Sequence, residues 1–494
     1  MINDPSCCSK NTRGIFSSAS RRLGSMIVVI FIILSFTVSC ANEKSIFPTV
    51  PDVTGKNGAE TQVSSTIPSI EIDTPDVIRI AAPLSHDTIL YLSQLYTAKK
   101  QNLLGVGITG QTVSLDYLET VQTDFSVELL TTSETGANIS SYITWNTSGT
   151  MPDIIMTDSM SELIEMGALL PLDEFLAGNP LLSPSIVYSD MVSRCSVSDT
   201  QYGVPYAASV SVLFVNHEVF DSAGVTLPYE ADLSALLEAS EAIYSLNDPE
   251  NDTASYVVPL MSGSALIPYL PASFDNTVGY LAERDGDIDV SSDGFLETIQ
   301  YLREFDAAYF AEGMSDEDRI SFFGTLDPIL SKRVGMWVGR SEEVSRWSNY
   351  MPYTLGMIQI PSEKPGLLSP PALTVFPLCI SSKSEHPAEA LDFAVFIALD
   401  PDAILLRRRL EKHEGFIPVV KSPEVWDRTF SDSVYCGSMY KIKDVMSSAY
   451  FTPYGTDSDF FEQTRSFMER YASELLDPEV DTDILIESIE EDGF

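Results

Sequence analysis

The sequence predicts an α/β fold built on more than one hydrophobic core. Three observations carry this. From residue 76 onward, short β-branched runs alternate with stretches of helical period, the pattern of a mostly parallel sheet covered on both faces. The chain has 494 residues, more than a single core organises. Hydrophobic content is 44% and charged content 20%, values of a globular chain and not of a disordered one.

The N-terminal segment stands apart. Arg21-Arg22 precede an apolar run from Met26 that ends in Thr37-Val38-Ser39-Cys40. A positive flank, a short apolar core and small residues before a cleavage point make a secretory signal over residues 1–39. The run is about 13 residues through Val38, too short to span a bilayer. Its end resembles a bacterial lipobox, with Thr37 where leucine is usual, which implies lipidation of Cys40 and a place outside the cytoplasmic membrane, tethered to it. Residues 40–75 are polar, rich in Pro, Ser, Thr and Gly, and read as a flexible tether whose ends lie roughly 30–35 Å apart.

The first strand is Asp76–Pro83, and a helix with Ile89, Leu92, Leu95 and Tyr96 on one face follows from Asp87 to Lys100. Gly105, Gly107 and Gly110 interrupt it. Leu115–Gln122 is amphipathic, Phe125–Leu130 is a strand, Pro152–Asp158 a third strand, and Ser159–Met166 a helix. Gly203-Val-Pro205 signals a turn, and Val210–Val215 is a buried strand. A short helix over Glu218–Ser222 is stopped by Ala223-Gly224 and Pro228. Asp232–Leu246 is helical, Asn247–Thr253 an acidic loop, Tyr256–Met261 a strand and Asp293–Phe310 a helix. The C-terminal part is mostly helical, over Phe460–Leu476 and Thr482–Glu490.

Composition excludes some functions. A net charge of −42 repels phosphates and argues against nucleic-acid binding. There is no HExxH, GxSxG or Walker loop, and the four histidines (His86, His217, His386, His413) are scattered, so the sequence offers little for an enzyme or a cofactor. Asp285-Gly-Asp287-Ile-Asp289 resembles the start of a calcium loop, but Val290 and Leu296 stand where glycine and glutamate are needed, which leaves a surface turn. Beyond Cys40, the cysteines Cys195, Cys379 and Cys436 lack metal-site spacing; export permits one disulfide with an odd thiol, and three unpaired buried thiols are the preferred reading.

Gly203–Pro228, with its strand, Asn216, short helix, Ala-Gly and proline, resembles the central signature of family 1 extracellular solute-binding proteins, the capture subunits of ABC importers. The block Pro152-Asp-Ile-Ile through Gly167-Ala-Leu-Leu-Pro-Leu-Asp173 resembles a second signature, and Pro205-Tyr206 its approach to the hinge. Lys332–Arg340, Tyr353–Pro361, Thr374–Ser382, His386–Phe396 and Gly415-Phe-Ile-Pro418 match further motifs in order, so the resemblance spans about Val77 to Val420. It implies a two-lobe, periplasmic-binding-protein-like fold of type II, with Ala208–Phe214 as the first hinge crossing. Lobe 1 would comprise 76–210 plus 375–430, and lobe 2 211–374 plus 431–494. The implied function is capture of a solute, a carbohydrate by family precedent, and its delivery to ABC permease subunits by hinge closure. A sensor or scaffold without an importer, and a polyamine or metal-ion binder of the same fold, are the alternatives.

Ligands of such sheets bind beyond the carboxyl ends of strands, and sugars ask for flat aromatics and planar polar groups. The candidates are Asp87 after the first strand, Asp158 after the third, Tyr206 and Ser209 entering the crossing, and Trp337, Arg340 and Glu342. Trp145 is a second stacking candidate. By resemblance to maltodextrin-binding proteins, the loops at Asp158, Ser209 and Arg340–Glu342 face ligand. Two positions depart from that pattern: Ser209 is acidic there, and the loop near Glu342 carries a stacking tryptophan. Arg340 in a cleft would suit a carboxylate or an acidic sugar.

Overall fold

A nine-stranded mixed sheet forms the frame, and one strand runs through both of its halves. The computed structural model describes residues 77–494 apart from 131, 133–135, 248–255, 412–414, 432–436 and 455–457. The signal, Cys40, the tether, His413, Cys436 and most of the acidic loop lie outside the described residues.

In chain order the main elements begin with β1 (Val77–Ala81), α1 (His86–Lys100), β2 (Ser126–Leu130), α2 (Ile139–Ser148), β3 (Ile154–Met156) and α3 (Met160–Glu165). Next come β4 (Gly203–Asn216), α4 (His217–Ala223), α5 (Leu233–Tyr244), β5 (Val258–Leu260) and α6 (Asp293–Leu302). β6 (Val334–Arg340), α7 (Val344–Tyr350), β7 (Leu355–Gln359), β8 (Ala372–Ile380), α8 (Pro387–Leu399) and α9 (Pro401–Leu410) follow. The chain closes with α10 (Pro423–Ser431), β9 (Tyr450–Phe451), α11 (Ser458–Leu476) and α12 (Thr482–Glu491).

The sheet order is β2-β1-β3-β8-β4-β6-β5, with β7 also on β4 and β9 also on β8. β1 pairs parallel with β2 and β3, as the alternating pattern predicts. The centre departs from the expected mostly parallel sheet, because β4 runs antiparallel to β8, β6 and β7. β4 is 14 residues long and buried at every position. Its first part, Gly203 to Val210, pairs with β8. Its second part, Ser211 to Asn216, pairs with β6 and β7. The sheet therefore changes partners between Val210 and Ser211.

Two other passes of the chain meet this point. β8 begins at Ala372, with Leu373 opposite Val210. β9 lies beside that start, with Tyr450 opposite Ala372 and Phe451 opposite Leu373. The three passes thus stack at one level. Asn216 ends β4 by capping α4: its side-chain oxygen accepts from Glu218 N at 3.2 Å while its amide donates to Lys332 O at 2.8 Å. Gly224 closes α4 at φ 69°, a left-handed conformation that glycine adopts without steric cost.

The Gly415–Pro418 motif clips onto the crossing strand. Ile417 N donates to Ala208 O at 2.7 Å and Ala208 N donates to Ile417 O at 3.3 Å. Gly415 sits at φ +66°, and a Cβ there would lie 2.1 Å from Ser341 O. Only glycine satisfies both constraints. Gly415→Ala is therefore expected to lower stability by about 2–3 kcal/mol, from left-handed strain plus a displaced 341 loop. Urea unfolding of the variant beside the parent checks this.

Candidate functional site

β3 and β6 deliver the two sides of the site from opposite halves of the sheet. Beyond β3, Thr157 turns inward and its hydroxyl donates to Ala137 O at 2.7 Å, while Ser159 N donates to Thr157 Oγ1 at 2.9 Å. That fixes the bend and leaves Asp158 at the cleft, with Ser159 Oγ donating to its Oδ1 at 3.2 Å. Glu162 follows four residues later at the start of α3, on the same face.

Beyond β6 the chain turns tightly at Ser341–Glu343. Val210 N, at the partner change in β4, donates to Ser341 Oγ at 3.1 Å. Arg340 N donates to Glu343 Oε1 at 2.9 Å, and Trp347 Nε1 donates to Glu343 Oε2 at 3.3 Å. Arg340 Nε lies 2.9 Å from Glu342 Oε1, with the arginine side chain 21% and the glutamate 3% exposed. The Arg340 guanidinium also sits 5.7 Å from the Phe376 ring and 5.6 Å from the Tyr454 ring. Arg340 thereby touches its own loop, β8 and the chain beyond β9.

Between these edges lies a cleft of about 600 Å³. Its aromatic wall comes from Tyr269, Tyr280, Tyr454 and Phe461. Tyr269 and Tyr280 meet edge to face at 5.4 Å, Tyr280 and Tyr454 at 6.5 Å, and Tyr454 and Phe461 tilt together at 5.1 Å. Burial pushes the Tyr269 phenol up to about 12 and raises Tyr280 well above its usual value. Both remain protonated donors at neutral pH, able to give and accept hydrogen bonds. Burial acts to lower the Arg340 pKa, but Glu342, Glu343, Tyr454 and Asp158 outweigh it and the net shift is upward.

The structure brings Asp158 and Arg340 together at the cleft, with Glu342 and Ser209 buried behind Arg340. It places the other sequence candidates elsewhere. Asp87 is exposed in the first turn of α1, where a carboxylate suits the helix N-terminus. Tyr206 is buried with the Arg407 guanidinium 4.0 Å from its ring centre. Trp337 is a core residue, 3% exposed, stacked on Phe214 at 5.5 Å and edge-on to Trp347. Strand alternation explains it: Val338 and Arg340 face the cleft, so position 337 faces the core. Trp145 packs beside a satellite core on α2 and is no part of the cleft lining.

Glu162, Glu343, Tyr269, Tyr280, Tyr454 and Phe461 were not legible as site residues. A faint signal existed in the turn dipeptides Pro268-Tyr269 and Pro453-Tyr454, which place a rigid ring after a bend just as Pro205-Tyr206 does. Among the described residues, no group of three or more His, Cys, Asp or Glu side chains could hold a metal ion. Cys195 and Cys379 are free and buried.

Residues 122–403 match the profile of the bacterial extracellular solute-binding protein family. No curated protein matches the chain by sequence. Among solved structures, the chain is similar to an ABC substrate-binding protein from Listeria monocytogenes in complex with cycloalternan. There the TM-score is 0.57 and identity 14%, over 84% of this chain and 96% of that one. The cyclic alpha-maltosyl-1,6-maltose binding protein from Arthrobacter globiformis gives 0.56 and 15%, over 85% and 98%. The sugar-binding protein MalE from Xanthomonas citri gives 0.55 and 13%, over 84% and 95%. These likenesses establish the two-lobe fold with its interlobe cleft.

The buried carboxyl behind Arg340 has a consequence for stability. Burial raises Glu342 from 4.5 to about 7, while Arg340 pulls the other way. The native state therefore keeps a proton that the unfolded chain releases from about pH 4.5 upward. The stabilisation from this group is complete below pH 4.5 and is lost as pH rises through 7. It amounts to about 3 kcal/mol. Glu342→Gln, neutral at every pH, should remove this fall, so melting temperatures of variant and parent should diverge progressively between pH 4.5 and 8. Parallel curves would contradict the assignment.

Proposed function

The chain belongs to the bacterial extracellular solute-binding proteins, and from that premise we propose that its cleft captures a carbohydrate and hands it to the permease subunits of an ABC importer. The observation that carries this reading is the composition of the cleft. One side is the Asp158 and Glu162 edge, the floor is Arg340, and the wall is a run of tyrosine rings. Rings offer flat apolar faces to sugar rings, and carboxylates and phenols hold vicinal hydroxyls. A volume of about 600 Å³ falls within the range of pockets that enclose drug-sized ligands.

Closure is the mechanism of capture. The sequence divides the lobes as 76–210 plus 375–430 and 211–374 plus 431–494, and the strand pairings draw the two return passes nearer Pro371-Ala372 and Tyr450. The segments joining them meet near Val210-Ser211, Pro371-Ala372 and Tyr450, so a small rotation there moves Asp158 against Arg340 and the tyrosine wall. Ligand buried between the lobes favours the closed form by its added contacts, and the permease reads that form. The extracytoplasmic setting of the family agrees with the signal over residues 1–39, and a lipid on Cys40 would keep the protein beside its membrane partner.

Two experiments test this reading. A thermal-shift screen of the purified protein against mono- and oligosaccharides should raise the melting temperature, with about 2.7 kcal/mol of added stability at 100 Kd of ligand. Tyr454→Ala should weaken the binding of the hit about tenfold or more while unfolding cooperatively. A panel without any stabilising sugar overturns carbohydrate capture. For the anchor, the parent expressed in a bacterium should sediment with membranes and partition into detergent, and Cys40→Ser should not. Equal partitioning of the two refutes lipidation.

A further inference from the structure

The charges around the cleft narrow the class of sugar, on the reading that the cleft captures carbohydrate. We infer that it is built for a cationic glycan, an oligosaccharide bearing free amino groups, and that it turns uronates away.

The argument begins with Arg340, the cleft's one basic lining residue among those described. Its single positive charge is outnumbered in the lining by Asp158, Glu162 and Glu343. Its Nε lies 2.9 Å from Glu342, and its guanidinium rests near two aromatic rings. An acidic sugar would meet that excess of carboxylates as well as the guanidinium.

The remaining charge at the cleft is negative. Asp158 and Glu162 stand on the edge beyond β3, partly exposed. Neither forms an ion pair with a described residue, and among those residues the one hydrogen bond to either side chain is the donation from Ser159 Oγ to Asp158. Asp158 lies within electrostatic reach of Arg340 without closing on it. Glu343 lines the cleft with its oxygens engaged by Arg340 N and Trp347 Nε1. On the far edge, Ser264 N donates to Glu312 Oε2 at 3.0 Å and its hydroxyl also bonds that carboxylate, so a further negative charge stands just behind the lining.

An ammonium group answers this arrangement twice. It would make charge-assisted hydrogen bonds with Asp158 and Glu162, stronger than those a neutral hydroxyl makes. It would also sit favourably against the faces of Tyr280, Tyr454 and Phe461, which attract cations. The net charge of −42 attracts cationic solutes to the protein as a whole.

Isothermal titration separates this inference from the reading it rests on. The probes are a β-1,4-linked glucosamine disaccharide, its N-acetylated form, maltose and a digalacturonate, at a pH where the amines are protonated. The amino disaccharide should bind about tenfold to a hundredfold more tightly than its acetylated form. Raising the salt should shrink that ratio. The double variant Asp158→Asn, Glu162→Gln should bring it toward one, with both proteins melting cooperatively. Equal or tighter binding of the acetylated form, of maltose or of the uronate overturns the cationic preference and leaves carbohydrate capture standing. Failure of all four to bind overturns both.

Discussion

One strand has to serve two half-sheets, and that constraint shapes the rest of the molecule. Each β4 residue is buried, so its donors and acceptors must find partners inside the protein. β8 pairs with the residues up to Val210, while β6 and β7 pair with those from Ser211 onward. Rigid ladders on either side leave the short boundary between them as the place where relative motion is cheapest. The other two passes arrive at that level because β8 starts there and β9 pairs with its first residues. The cleft lies beside the boundary for the same reason: Val210 N binds Ser341 Oγ, tying the loop that carries Arg340 to the point of least stiffness.

Much of this was legible in the chain because local signals and tertiary need agreed. The β-branched run Val210–Val215, the Asn216 cap and the Gly224 stop all reappear where the pattern put them. The extent of β4 was not legible. Gly203 and Pro205 read as a turn, yet they lie within the strand. Pro205 faces Pro377 across β8 at a register irregularity, a place where a ladder tolerates a residue without an N–H. The helix expected over Asp293–Phe310 ends at Leu302. Arg303 then turns to donate to Leu475 O at 2.7 Å and Val480 O at 3.0 Å, so a distant segment decides where that helix stops.

The site divides in the same way. Asp158 and Arg340 could be named because strand ends in such sheets point at ligand, a rule that needs only local pattern. Tyr454 and Phe461 could not, because nothing near them in sequence reveals that the chain beyond β9 folds back across the cleft. Trp337 shows the opposite error. Its chemistry suited a sugar, but side chains alternate along a strand, and the choice of Arg340 for the cleft had already committed Trp337 to the core.

The buried pair at the floor is better understood as a positioning device than as a source of stability. Taking two charges out of water costs several kcal/mol per ion, and a well-packed apolar replacement is often no less stable. The raised pKa of Glu342 reports that cost directly. What the pair supplies is a fixed guanidinium at the meeting of three chain passes, close to Phe376 of β8, to Tyr454 beyond β9 and to Glu342 of its own loop. A flexible arginine could swing toward any anion that entered. Held beside Glu342 on one side and rings on the other, it stays in place, and the Asp158 and Glu162 carboxylates at the edge set the sign of the field that a ligand meets.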